Sequence, residues 1–297
     1  MSLTAQILLG ALVALALFYA WRWFSLERRD APPDGERSPG LLRVCIGFIT
    51  NFFDTLGIGS FAPTTSVFKL LRLVPDERIP GTLNVGHVLP TLLQGLIFIA
   101  VVEVDALTLV AMIAAAVFGA RIGAGIVAKL PRRAIQVGVG GALLVAASLF
   151  VLANLQLIPA GGDALGLRGV LLAVAVGVNF LLGALMTLGV GLYAPCLILV
   201  SLLGMNPIAA FPIMMGSCAF LMPVAGLQFV SSGRYDLRAA LGLLLGGVPG
   251  VLIAAFIVKQ LPLNWLRWLV VVAILYASMA MLRSARAEKQ LALSAQK

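Results

Sequence analysis

The chain has 297 residues, 61% of them hydrophobic and 11% charged, with a mean hydropathy of +1.06 and a formal net charge of +9. Soluble domains carry roughly 25% charged residues, so a soluble globular fold is excluded. Apolar runs of about 20 residues recur in place of the short alternating segments of a β-barrel. The basic residues are scattered among short loops, which argues against nucleic-acid binding and reads as a cytoplasmic excess of Lys and Arg.

The first apolar segment, Leu3 to Phe24, has no positive charge before it and Trp21-Arg22-Trp23 at its end. That pattern reads as an uncleaved membrane helix whose C-terminal end faces the cytoplasm. A polar linker, Glu27 to Pro39, closes an N-terminal region of residues 1–40. The remainder divides into two matching halves, 41–155 and 168–283. Each half begins with a helix (41–57 or 170–189) that ends at Gly-x-Gly, followed by a short helix (60–73 or 192–205). Three fuller spans follow: 81–102, 106–128 and 133–154 in the first half, and 208–230, 237–258 and 264–283 in the second. The short helix 60–73 is only ~21 Å long, against a hydrocarbon core of ~30 Å. The expectation is therefore a re-entrant hairpin in each half, with two tilted full spans as the alternative.

The halves correspond residue by residue. Thr55-Leu-Gly-Ile-Gly-Ser-Phe-Ala-Pro63 returns as Thr187-Leu-Gly-Val-Gly-Leu-Tyr-Ala-Pro195, with six of nine positions identical. Pro75 matches Pro207, Pro90 matches Pro223, Asp105 matches Asp236, and Gly119 matches Gly250. Lys69, Arg72 and Arg78 return the first hairpin to the cytoplasmic side, and Glu103 and Asp105 mark an outside loop. Arg234 and Arg238, then Arg283, Arg286 and Lys289, fall inside, while Lys259 and Arg267 run against the scheme. Three crossings per half make the halves inverted. The expected fold is thus an all-α integral membrane protein. It has two inverted-topology repeats, each with a broken or re-entrant hairpin and three transmembrane helices, behind one extra N-terminal helix. The C-terminus is expected in the cytoplasm.

Duplicated helix breaks in inverted halves point to a transport site near the bilayer midplane. At each break a helix starts after Gly59 or Gly191, where its first N–H groups lack intrahelical partners and the dipole is positive. Such termini suit a small anion. Gly57, Gly59, Gly189 and Gly191 permit φ > 0 and close backbone approach. Pro63 and Pro195 fit the first helical turn. Thr55 and Thr187 are placed to donate to an oxyanion, or to bond back to their own helices. Asn84, His87, Thr91 and Gln94 follow 3-4-3 spacing on one helix face, with Ser217 matching Asn84. Such a stripe serves substrate contact or interhelical hydrogen bonding.

Asp54, just before the first break, has Met186 as its counterpart. A carboxyl at that depth is functional by default, and the expectation is proton coupling through Asp54 with His87. The alternative is a carboxylate bonded to backbone or to Asn51. Arg121 is read as an anion attractor at the inner mouth or as a snorkelling side chain. Cys45, Cys196 and Cys218 form no CxxC, and a lone histidine leaves no multi-His metal site, so neither metal nor cofactor is expected. No Walker loop is present, which leaves coupling to an ion gradient or simple efflux. The rival readings are an anion channel, a conduit assisted by the thiols of Cys196 and Cys218, and a subunit of a larger membrane complex. An enzyme is disfavoured because His87 has no nucleophile at a fixed spacing. The expected partners are a small anionic substrate and the lipid bilayer, with homo-oligomerisation left open.

The glycine–proline breaks, the duplication, the length and Gly119-Ala-Arg-Ile-Gly123 together resemble the TauE/SafE family of sulfite and organosulfonate exporters and permeases, from about residue 44 to 283. In the family's usual glycine-rich break, Ser60 and Phe61 here occupy later positions, as do Leu192 and Tyr193 in the second copy. The resemblance implies transport of sulfur-containing anions such as sulfite, sulfonates or thiosulfate across a bacterial inner membrane.

Overall fold

A computed structural model describes residues 3–29, 38–123, 132–157, 162–186, 191–260 and 263–294. Among these residues the chain forms twelve α-helices and no strand. They are α1 (Leu3–Arg29), α2 (Gly40–Thr55), α3 (Phe61–Leu70), α4 (Ile79–Gly86), α5 (Val88–Val101), α6 (Ala106–Phe118), α7 (Arg132–Asn154), α8 (Gly169–Met186), α9 (Tyr193–Leu202), α10 (Ala210–Ser231), α11 (Leu237–Gln260) and α12 (Leu263–Ser294). Seven helical stretches among the described residues are long and apolar enough to cross a membrane, with α4 and α5 acting as one. The protein is an all-α integral membrane protein.

The short helices after the breaks are shorter than expected. Both α3 and α9 have 10 residues, about 15 Å at 1.5 Å per residue and half the ~30 Å hydrocarbon core. Pro63 and Pro195 each occupy the third position of their helix, where the N–H they lack has no intrahelical partner. The span expected over 81–102 is interrupted at His87, between α4 and α5. Pro90 has no N–H to give the Gly86 carbonyl, so the helical ladder breaks at that point. The span expected over 106–128 is α6 followed by a π-helical turn, Gly119–Gly123, and residues 124–128 lie outside the described residues. The last helix runs to Ser294 rather than ending at 283.

The chain forms two compact units. One comprises Met1–Val102 with Cys218–Lys259, the other Glu103–Ser217 with Gln260–Lys297. In the first unit α2 lies against α11 with backbone touching backbone. A Cβ on Gly246 would overlap the Val44 carbonyl, and one on Gly250 would lie 2.5 Å from the Phe48 carbonyl oxygen. Helix α1 is tied in by its Tyr19 hydroxyl on the Val85 carbonyl and by Trp23, whose indole N–H donates to Tyr235 at 3.0 Å; Tyr235 in turn donates to Glu27.

The second unit pairs α6 with α8 in the same manner. A Cβ on Gly119 would overlap the Phe180 carbonyl, and one on Gly183 would overlap that of Ala116. Helix α7 packs along α12, where the buried Ser278 hydroxyl donates 2.7 Å to Gly140 O. The matched aspartates do matching work. Asp105 caps α6 by accepting from Thr108 N at 2.9 Å, and Asp236 caps α11 by accepting from Ala239 N at 2.7 Å. Asp105 is further gripped by the Arg168 guanidinium at 2.6 and 2.7 Å, which holds its carboxyl well below the usual carboxylate range.

Two stability outcomes follow from these contacts. Gly246→Ala should lower the thermal midpoint of the detergent-purified protein, whereas Gly141→Ala, whose Cβ would meet nothing within 4 Å, should leave it unchanged or raise it slightly. Asp105→Ala should cost about 1 kcal/mol at neutral pH through the lost cap alone. Folding depresses the Asp105 pKa, so its carboxylate contributes fully above the ordinary carboxylate value of about 4. That contribution fades progressively as pH falls from about 4 to the depressed value and is gone below it. The gap between native and Asp105→Ala midpoints should therefore be flat from neutral pH down to about pH 5 and narrow steadily in more acid solution, as read by thermal melts across pH.

Candidate functional site

Helix α2 carries Asn51, Asp54 and Thr55 on one face near its end, and all three are buried. In hydrocarbon every polar hydrogen must find a partner within the protein, and much of the demand is met by bonds to the preceding turn. Thr50 donates to Ile46 O, Asn51 Nδ2 to Gly47 O and Thr55 to Asn51 O, each at 2.8 Å. The turn after α2 then passes through Gly57 (φ 92°) and Gly59 (φ 88°), left-handed conformations that glycine adopts without strain. Ser60 follows as the residue before α3.

Side chains from three segments meet beside this turn. Gln94, fully buried on α5, donates through Nε2 to Asp54 Oδ2 and to Thr55 Oγ1, both at 2.9 Å. Ser60 adds its hydroxyl and its backbone N–H to the same Asp54 carboxylate. His87, fully buried at the α4–α5 break, places Nδ1 3.0 Å from Asn51 Oδ1 and Nε2 3.3 Å from Thr64 Oγ1. Because Asn51 spends its amide N–H on Gly47 O, its oxygen accepts and His87 carries a hydrogen on Nδ1. The Thr64 hydroxyl also lies 2.7 Å from Ser60 O. The Phe61 ring lies 5.7 Å from the imidazole. Asp54 and His87 are thus joined through Ser60, the residue that opens α3.

The first unit therefore gathers Asp54, Thr55, Gly57, Gly59 and His87, with Pro63 on α3. Thr55 bonds back to its own helix and accepts from Gln94. Asp54 bonds Gln94 and Ser60, and it is His87 that pairs with Asn51. Asn84 stands apart: its amide donates 2.9 Å back to Pro80 O. In the second unit Gly191 is exposed, Pro195 is half-buried, and Arg121 is exposed on the π-helical turn. Ser217 is fully buried there, 3.4 Å from the Asn179 amide nitrogen, which also donates to Met112 O at 2.7 Å. Thr187 and Gly189 lie outside the described residues. Of the two roles open to the polar stripe, Gln94 makes interhelical hydrogen bonds, to Asp54 and Thr55, while nothing in the spacing marks Ser60 and Thr64 as contributors. The 3-4-3 spacing that put His87 and Gln94 on one face was the signal available.

The family model for sulfite exporter TauE/SafE matches residues 1–150 and 171–296. The chain belongs to the TauE/SafE sulfite exporter family. No curated protein and no solved structure matches it. Membership places this TauE/SafE chain among multi-pass membrane transport proteins, in agreement with its apolar helices. The resemblance carried by the glycine–proline breaks thus extends over nearly the whole chain.

The tip of this TauE/SafE protein gives a direct backbone test. A Cβ on Gly59 would meet nothing within 4 Å, yet the residue sits at φ +88°. Gly59→Ala should therefore lose about 1 kcal/mol or more to left-handed strain alone, with Gly59→Asn losing less. Thermal unfolding of the purified variants reads the difference.

Proposed function

We propose that this TauE/SafE protein is a secondary transporter carrying a small sulfur-containing oxyanion, such as sulfite, a sulfonate or thiosulfate, across a bacterial inner membrane by alternating access. The substrate class rests on family membership. The observation that favours coupled transport is Asp54, a 4% exposed carboxyl at a glycine-broken helix end in a membrane chain. Burying an ionisable group there is expensive and is retained where it moves charge.

In this reading the backbone around Gly57, Gly59 and Ser60 offers N–H groups to the anion, and the matching second break, with Thr187, Gly189, Gly191 and Pro195, contributes likewise. Asn84 and Ser217 are further substrate contacts, and Arg121 draws anions toward the inner mouth. Asp54 competes with a bound anion for the Ser60 N–H while it is charged. A proton on Asp54 removes that competition, which links proton uptake to anion binding. His87 adjusts the same residue from its carbonyl side through Thr64. The C-terminus lies in the cytoplasm, following the basic residues at the end of α12.

Reconstitution tests this. Native protein in proteoliposomes should move sulfite with a rate that depends on pH. Gly57→Leu should abolish flux while the protein still purifies as a folded species, and unchanged flux would remove the glycine break from the mechanism. Asp54→Asn should lose the pH dependence; a variant that keeps it in full would end the coupling assignment. Thermal shifts with sulfite, sulfate, thiosulfate, sulfonates and carboxylates then rank the substrates, and stabilisation by carboxylates alone would overturn the sulfur assignment.

A further inference from the structure

The donors and acceptors around Gln94 leave only one arrangement of its hydrogens. Thr55 has a single hydroxyl proton, and it lies on Asn51 O at 2.8 Å. Thr55 Oγ1 is therefore an acceptor toward Gln94, and the atom facing it at 2.9 Å has to be the amide nitrogen. The same nitrogen lies 2.9 Å from Asp54 Oδ2. That carboxyl oxygen receives an N–H; of the two other contacts on the carboxyl group, the Ser60 amide donates and the Ser60 hydroxyl can donate or accept. At Oδ2 the carboxyl faces an N–H donor, an arrangement that favours its charged form.

We infer that Gln94 is the positioning residue that sets when Asp54 takes up its proton. This rests on the reading of Asp54 as the proton-binding group and adds the device that regulates it. With its amide anchored on Thr55, Gln94 holds an N–H against Oδ2 and stabilises the carboxylate facing Ser60. A proton arriving on Oδ2 would meet that N–H head-on. The amide must then rotate to present its oxygen, and in doing so it loses the bond to Thr55, because two acceptors cannot pair. Protonation of Asp54 at Oδ2 is thereby tied to release of Gln94 from α2.

Among the described residues, few other charges lie on the elements around this cluster. His87, at the α4–α5 break, is the titratable side chain that shares the network through Ser60 and Thr64. On α3 the ionisable residue is Lys69 in the last turn, paired with Asp76. Arg43 stands in the first turn of α2, at the other end of the helix from Asp54. Helix α11, which sets Gly247 against Asn51, carries ionisable residues only near its two ends. On α1 the buried Tyr19 hydroxyl is turned to the Val85 carbonyl, and Cys218 is a buried thiol on α10.

The test uses the full-length protein and a readout independent of transport. Infrared difference spectra across a pH titration report the C=O stretch of a protonated carboxyl, assigned to Asp54 by its loss in Asp54→Asn. Gln94→Met, close in volume but without a donor, should move the midpoint of this band upward by about one pH unit, a tenfold gain in proton affinity. Gln94→Glu, which sets a second carboxyl beside the first, should move it upward too and split it into two steps. In proteoliposomes the pH midpoint of sulfite flux should shift in parallel for Gln94→Met. Adding that change to Asp54→Asn should produce no shift. An unmoved midpoint in a folded Gln94→Met protein overturns the inference, as does an Asp54-dependent band that appears in neither protein. A titration that behaves as expected in a protein that moves no sulfite would instead remove the transport reading and leave the role of Gln94 intact.

Discussion

Hydrocarbon supplies no hydrogen-bond partner, and the architecture around Asp54 is an answer to that constraint. A carboxylate brought this deep has to be met by donors from the protein itself, and each donor must have its own remaining valences filled. The cluster does this by layers. Threonine and asparagine on α2 discharge part of their capacity into the turn behind them, which leaves defined acceptors facing α5. Gln94 and His87 fill those acceptors, and Ser60 turns both hydroxyl and amide to the carboxylate. Take away the back-bonded layer and the orientation of Gln94 and His87 is no longer specified.

The two units show one helix crossing built twice with the chemistry redistributed. Phe48 meets Gly250 in the first unit, and the matching Phe180 meets Gly119 in the second. One helix turn along, the first unit has Asn51 against Gly247, while the second has Gly183 against Ala116. Polar and small residues have changed places while the backbone contact stays. Asp54 has no counterpart, since its matching position is Met186. The same backbone crossing occurs in both units, and the buried carboxyl stands in one of them.

Much of this scaffold was legible because backbone requirements are written in residue types. Two glycines in sequence before a proline announce a helix that stops and restarts, and the positive φ of Gly57 and Gly59 with Pro63 in the first turn of α3 is that announcement realised. The aspartates at 105 and 236 mark helix starts for the same reason. Less legible was anything that depends on which faces meet. Gln94 and Asp54 are 40 positions apart, and spacing along one helix cannot say what stands opposite. The interruption at His87 was written in Pro90 but hidden by a continuous apolar run. The π-helical turn at Gly119–Gly123 has no local signature beyond its glycines.

The glycine contacts between α2 and α11 bear on how the first unit moves. Where Gly246 and Gly250 admit the Val44 and Phe48 carbonyls, no side chain lies between the two axes to be rearranged. The row of glycines continues one turn toward the start of α11, where Gly242 faces Arg43, so the two backbones stay in close contact along the crossing. The two helices therefore behave as a single stave, and the compliance of this region is concentrated in the short stretch from Gly57 to Ser60. A displacement of α3 pivots there and carries the Thr64 hydroxyl with it.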